Sequence, residues 1–248
     1  QKRLQQLGYH VEDYGDLYVP NAEKVKMGDP SLKYAEEIVK VCETAAHLID
    51  EFIRDGFVPL VLGGDHSISI GTIAGSSNAL GDIGIIWFDA HGDFNTMETS
   101  PSGNIHGMSL GASLGYGDDL LIRVGHKVKK AKPENVALIG VRDVDPEEAK
   151  LIKNSGIKVF TMEHIDFRGM REVMEQALKA VTNGTKGIHV SFDMDVIDPF
   201  VAPGVGTPVQ GGISYREAHL AMEMIAGSKM LRCLEFVEVN PILDSKNK

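Results

Sequence analysis

Six short apolar runs constrain this chain more than any other feature. They lie at 57–62 (FVPLVL), 83–88 (IGIIWF), 136–141 (VALIGV), 157–160 (IKVF), 187–192 (GIHVSF) and 234–239 (LEFVEV). Runs this short and this continuously apolar suit strands covered on both faces, as in a parallel sheet. The stretches between them have helical character. Residues 31–54 place Ile38, Val41, Cys42, Ala45, Leu48, Ile49 and Phe52 at helical spacing. Asp145-Pro146-Glu147-Glu148 reads as an N-cap, a first-turn proline and an acidic first turn. Residues 163–181 give a further helix, and Ser214-Tyr215-Arg216-Glu217 is a capping box opening a helix through Ile225. Strands alternating with helices imply βαβ crossovers and a doubly wound α/β sheet with helices on both faces.

The ends of these runs carry acids and imidazoles in alternation. Phe88 is followed by Asp89-Ala90-His91-Gly92-Asp93, and Phe192 by Asp193-Met194-Asp195. The run at 57–62 leads into Gly63-Gly64-Asp65-His66-Ser67. Residues two apart in an extended chain point the same way. Asp89, His91 and Asp93 can therefore converge on one point and be met there by Asp193 and Asp195. Four carboxylates so crowded repel one another unless cations lie between them. One Asp after a strand is commonly a cap or turn former; three such clusters favour a two-metal centre. Carboxylate oxygens and imidazole nitrogens with no thiolate make a donor set that favours Mn²⁺. Asp65 reads as a partner of a ligand or as a turn former. The glycine- and proline-rich loops at 95–107 and 199–212 follow directly on the acidic clusters, where α/β sheets place ligand-binding loops.

Other positions stay open on local pattern. Asp143 and Asp145 flank a helix start, where capping is the ordinary role. Glu238 is either an outward-facing residue or a site carboxylate. His106 is either a general acid/base or a surface residue.

The overall charge excludes some functions. Thirty-five acidic against 25 basic residues give a net charge of −10, so general nucleic-acid binding is not expected. No apolar run is long enough to span a membrane, and no leader pattern opens the chain. Cys42 and Cys233 read as separate buried thiols suited to a reducing cytoplasm. Gly63-Gly64-Asp65-His66 puts an acid and an imidazole where a phosphate would need amides and a cation, which argues against a nucleotide-binding loop.

Taken together, GGDHS at 63–67, DAHGDFN at 89–95 and SFDMD at 191–195 resemble the ureohydrolase family, which includes arginases and agmatinases. The resemblance implies a three-layer α-β-α fold around a mainly parallel sheet, with residues 1–248 as a single catalytic domain. It further implies two Mn²⁺ per subunit. His66, Asp89, Asp93 and Asp193 match the ligands of one ion; His91, Asp89, Asp193 and Asp195 match those of the other. The activity implied is attack by a metal-bridging hydroxide on a guanidinium carbon, releasing urea and an amine, with Asp93 accepting a hydrogen bond from the hydroxide. The loop TSPSGNIHGM at 99–108 looks like that of arginases, which makes L-arginine the expected substrate. By the same resemblance Asn95, Ser102 and Asn104 match groups that bind its α-carboxylate, and Asp145, with Glu148, the α-amino group. His106 matches a proton shuttle, Glu238 the carboxylate that orients the guanidinium, and Thr207 a position on the guanidinium side or just behind the ligands. A cytoplasmic homo-oligomer, trimer or hexamer, is implied as well. Set against the family pattern, the family's first strand and final helix are expected to lie outside residues 1–248, and Val196-Ile197 after Asp195 is a departure within them. Agmatinase or another guanidino hydrolase is the alternative substrate class. A metal-binding homologue without catalysis is the alternative of a different kind.

Overall fold

The computed structural model describes residues 1–244. All six apolar runs form strands: β1 (Leu60–Leu62), β2 (Gly84–Phe88), β3 (Val136–Val141), β4 (Lys158–Thr161), β5 (Ile188–Asp193) and β6 (Leu231–Val237). They make one parallel sheet in the order β1-β6-β5-β2-β3-β4. The helices are α1 (Lys2–Gln6), α2 (Ala35–Arg54), α3 (Ser69–Leu80), α4 (Ser109–Ser113), α5 (Asp119–Ile122), α6 (Pro146–Ser155), α7 (Met162–Val181) and α8 (Tyr215–Ser228).

Alternation along the strands divides the core between two faces. Ile86, Phe88, Ala137, Ile139, Val190 and Phe192 pack against Val173, Met174 and Ala177 of α7 and Ala221 and Ile225 of α8. Ile85, Trp87, Val136 and Leu138 point the other way, against Ile73 of α3, Leu110 of α4 and Ile152 of α6. The three layers follow from this double burial, each large apolar side chain contributing about 1.5–3 kcal/mol.

The expected helix at 31–54 begins four residues later than its pattern suggested. Tyr34 sits in the left-handed region and turns the chain into α2. The capping box at Ser214 and the N-cap at Asp145 form as expected, and Glu148 completes a capping box with Asp145 as well. Helix α3 is an addition to the sequence reading. It is buried from Ser69 to Ser77 and lies so close to α2 that a Cβ on Gly71 or Gly75 would meet the Cys42 or Ala46 carbonyl oxygen at 2.3 or 2.4 Å. Both cysteines are free and buried. Among the described residues no helix is long and apolar enough to cross a membrane.

Strand order reverses between β2 and β5. From β2 the chain winds outward to β3 and β4; from β5 it winds the other way, through β6. The crevice outside the carboxyl ends of such a pair is where open α/β sheets bind ligands. Asp89 follows the last residue of β2, and Asp193 ends β5 beside it.

Candidate metal centre and substrate cleft

Three acidic residues at this switch point, Asp89, Asp193 and Asp195, are held by backbone amides. The Asp89 Oδ1 accepts from the His91 amide at 2.7 Å, and the Asp193 Oδ1 from the Asp195 amide at 2.7 Å. The Asp195 Oδ1 accepts from the Ala90 amide at 3.1 Å, tying the two loops together. A side chain bonded to the backbone two residues on forms a turn. The turn-forming role and the site role therefore coexist: in Asp193 one oxygen shapes the loop and the other faces inward, and in Asp89 the loop-shaping oxygen also lies beside the His91 ring.

The inward oxygens surround two imidazoles. His66 Nδ1 lies 3.1 Å from Asp89 Oδ2, 3.0 Å from Asp93 Oδ2 and 3.2 Å from Asp193 Oδ2. His91 Nδ1 lies 3.3 Å from Asp89 Oδ1 and 3.1 Å from Asp195 Oδ2. Two overlapping groups, His66-Asp89-Asp193 and Asp89-His91-Asp195, have the compactness to hold a cation each, with Asp89 common to both. Asp93 adjoins the first through its contact with His66, in left-handed backbone at φ 48°. Such a conformation is costly for a non-glycine residue and concentrates at functional sites.

The donors fit a pair of hard cations. His66 Nδ1 is buried and makes no hydrogen bond of acceptable geometry, although it points at three carboxylates. Burial and the Asp89 charge raise the Asp93 carboxyl to about 7, and the same causes raise Asp193 well above the carboxylate range. Burial disfavours charge on His66 and His91, but the adjoining carboxylates outweigh it and raise both, His91 to about 11. These directions share one origin: too much negative charge in too little space, which a divalent cation relieves.

Above the centre opens a cleft of about 180 Å³, lined by both acidic clusters, the loop at 100–107, Asp143, Asp145, Thr207 and Glu238. Six carboxylates and two imidazoles line it, with no lysine or arginine. Glu238, also in left-handed backbone at φ 60°, bridges two features: its Oε1 accepts from the His66 amide at 2.8 Å and stands 3.4 Å from His106 Nδ1. The pairing with Glu238 raises the His106 ring above its ordinary range, against the opposing effect of burial. Thr207 donates to Asp195 Oδ2 at 3.1 Å.

The far wall is partly committed to structure. Asp145 caps α6 and accepts from Asn95 Nδ2 at 3.0 Å, while Asn95 Oδ1 accepts from Thr99 at 2.9 Å. Glu148 also lines the cleft, but its oxygens accept from the Phe94 and Asp145 amides at 2.7 and 3.2 Å, so its part is largely to hold the two loops in register. Ser102 Oγ accepts from the Asn104 amide at 3.1 Å. Asn104 does not line the cleft; its Oδ1 accepts from Lys33 Nζ at 3.2 Å. Asp65 is exposed and accepts from the Ser67 amide at 3.0 Å, which makes it the turn former of the two readings.

Two contributors escaped the sequence reading. Lys33 grips the loop twice, donating also from its backbone amide to the Gly103 carbonyl. Arg142 donates to the carbonyls of Asp195 and Val209 at 2.7 Å, and to those of Gly140, Val196 and Gln210 at 3.2 Å, pinning the Thr207 loop to the end of β3. The only sequence signal for Arg142 was its place directly after an apolar run.

Comparison with known proteins bears on what this arrangement belongs to. The Arginase family model matches residues 1–248. The chain belongs to the arginase family. An arginase of Bacillus caldovelox is 51% identical over 248 residues, covering 100% of this chain and 83% of the relative. An arginase of Bacillus subtilis (strain 168) is 52% identical over 247 residues, covering 100% and 82%. The solved native structure of the Bacillus caldovelox arginase at pH 5.6 superposes with a TM-score of 0.96 at 51% identity, covering 100% of this chain and 83% of that one. The arginase-family chain thus shares the three-layer architecture and the sheet that forms its switch point.

Proposed function

We propose that this chain is a metal-dependent hydrolase that cleaves the guanidinium group of L-arginine to L-ornithine and urea. One observation carries the reading: a cleft lined by six carboxylates and no lysine or arginine, opening onto two overlapping carboxylate–imidazole groups. Its electrostatics favour a cationic substrate, and the relatives of about half identity are named arginases.

His66, Asp89, Asp93 and Asp193 would hold one Mn²⁺, and His91, Asp89, Asp193 and Asp195 the other. Mn²⁺ is preferred because every donor is oxygen or imidazole nitrogen. When bound, such a pair supplies Lewis acidity and a water-derived nucleophile at neutral pH. The remaining work falls to the chain's own side chains. Glu238 orients the guanidinium through charge-assisted hydrogen bonds. Water adds to the guanidinium carbon, the bond to the side-chain nitrogen breaks, and His106 delivers a proton to the departing amine. Its contact with Glu238 favours the imidazolium, the form that can donate. Asp145 receives the α-amino group. Asn95 and Ser102 receive the α-carboxylate, with Asn104 and Lys33 behind them. Thr207 steadies Asp195.

We also take residues 1–248 as one catalytic unit. Its two free thiols suit the cytoplasm. Assembly as a homo-oligomer, trimer or hexamer, rests on the family resemblance alone.

The test is urea release by Mn²⁺-loaded protein from L-arginine and agmatine side by side, with a metal-stripped control. Metal-dependent urea and ornithine from arginine supports the proposal. Urea from agmatine alone would retain the metal reading and overturn the carboxylate-binding loop. Two bound metals with no urea from either would overturn the catalytic reading.

A further inference from the structure

Behind the metal centre lies a second polar cluster, sealed from the cleft, that the proposed reaction does not use. It forms where β5 and β6 turn polar residues toward α3. Glu235, 0% exposed, places Oε1 2.5 Å from Ser69 Oγ and Oε2 2.5 Å from Thr72 Oγ1. His189 brings Nε2 within 3.4 Å of Glu235 Oε1, and its Nδ1 meets Ser76 Oγ at 2.9 Å. Burial disfavours the Glu235 carboxylate, but these partners hold its pKa down at about 2. A buried carboxylate is costly, and a fold that keeps one uses it to fix an arrangement.

From Glu235 the contacts run to a proposed ligand. Ser69 Oγ lies 3.3 Å from Ser191 Oγ, and Ser191 Oγ lies 2.8 Å from His66 Nε2. A hydroxyl has one proton to give. Ser69 gives its proton to Glu235, so in the contact between the two serines Ser191 is the donor, and the Glu235 carboxylate draws on the Ser191 hydroxyl directly as well. With that proton committed, Ser191 can only accept from His66, and the ring must carry its hydrogen on Nε2. That leaves the Nδ1 lone pair directed at Asp89, Asp93 and Asp193, the position where the orphaned buried nitrogen is found. Trp87, stacked on the ring at 4.0 Å and 10°, fixes its plane but not its tautomer.

We infer that Glu235 is a positioning residue for the metal centre. Acting through Ser69 and Ser191, it sets the direction of a hydroxyl chain that fixes the His66 tautomer and presents Nδ1 to a metal ion. The inference rests on the two-metal reading. Partners that orient ligating imidazoles in this way affect metal affinity by roughly 10–100-fold when removed.

The experiment is a Mn²⁺ titration of the metal-stripped protein, followed by the EPR signal of free aqueous Mn²⁺, with calorimetric unfolding of each apo-protein. Glu235→Met removes the acceptor that orients the chain. Glu235→Gln keeps an acceptor oxygen and serves as the rescue. Thr72→Val removes an equally buried bond to the same carboxylate but stands outside the path to His66. Glu235→Met should weaken one of the two Mn²⁺ ions by at least roughly ten-fold. Glu235→Gln should recover most of that loss, and Thr72→Val should bind both ions as the parent does. Should Glu235→Met fail to fold, Ser69→Ala takes its place, since it removes only the intermediate hydroxyl. Equal weakening by Thr72→Val would reduce the cluster to a structural role, and parental binding by Glu235→Met or by its replacement would overturn the inference outright. A parent protein that binds no Mn²⁺ would instead overturn the metal reading beneath it. Long-range proton–nitrogen correlation of the His66 ring in Zn²⁺-loaded parent protein gives a check independent of every variant. A proton on Nε2 is expected, and a proton on Nδ1 would overturn the inference.

Discussion

At the scale of single residues, the proposed proton donor and the loop that recognises substrate make separable predictions. His106 touches Glu238 and no proposed metal ligand. His106→Asn should therefore lower turnover by roughly 10²–10⁴-fold with metal content unchanged; loss of metal would recast it as a ligand. The direction of its basicity can be read directly. Glu238 favours the protonated ring while burial opposes it, so in the parent the ring should titrate above the ordinary 6.5. In Glu238→Gln only burial and the more distant acids remain, and the titration followed by NMR should move down. A second prediction concerns Lys33, whose ammonium bonds Asn104 Oδ1 and so ties down the side chain behind the proposed carboxylate site. Lys33→Met should raise KM for L-arginine by roughly five-fold, the worth of one hydrogen bond near 1 kcal/mol, and leave agmatine almost unaffected. An equal change for both would remove Lys33 from carboxylate recognition. Five of the six proposed ligands were legible as acids and an imidazole alternating just after two apolar runs, and His66 was legible through the resemblance of its motif to the family. Lys33 was not, because its partner lies 71 positions away. Glu148 was legible as part of the acidic first turn of a helix. That its carboxylate also holds the Phe94 amide depends on how two loops meet, which no local pattern records.

The elements divide along similar lines. Every strand was legible as an apolar run, but burial on both faces accounts for that only in β2, β3 and β5; β1, β4 and β6 are partly exposed. Helix α3 was not legible, and the reason is physical. With both the sheet and α2 pressed against it, it has no solvated face to alternate with, and its sequence is rich in Ser, Thr and Gly, which are weak helix formers. Those same residues are what the position requires. Ser69, Thr72 and Ser76 meet the polar side of β5 and β6, while Gly71 and Gly75 let α2 approach. The glycines make the close approach testable. A methyl group at Gly75 would lie 2.4 Å from the Ala46 carbonyl oxygen and 2.8 Å from Ile49 Cβ. Gly75→Ala should gain slightly in helix propensity yet lose stability overall by about 1–3 kcal/mol through overpacking. At roughly 2–4 °C per kcal/mol for a chain of this size, calorimetry would detect it. An unchanged or raised Tm would mean that α2 can retreat without loss.

For the whole molecule, the decisive consequence is that folding and metal binding should be one linked equilibrium. The sheet places the carboxyl ends of β2 and β5 side by side, and with them Asp89, Asp93, Asp193 and Asp195, all nearly or fully buried. The unfolded chain has no such arrangement, so a cation bound there binds the folded state alone. Each site occupied at a hundred times its dissociation constant then adds about 2.7 kcal/mol. In addition, the ions remove repulsion that the metal-free fold must bear. The Tm of the metal-stripped protein should therefore rise steadily with Mn²⁺ concentration and fall back on chelation. Asp193→Asn separates the two contributions. It replaces a carboxyl that burial and the Asp89 charge already drive toward its neutral form, so the metal-free variant should unfold at or above the Tm of the metal-free parent. It also weakens a carboxylate proposed to serve both ions, so most of the Mn²⁺-dependent rise should vanish, together with urea release. A variant less stable than its parent without metal, yet raised by Mn²⁺ to the same degree, would make Asp193 a structural acid, and the two-ion arrangement would have to be redrawn around Asp89 alone.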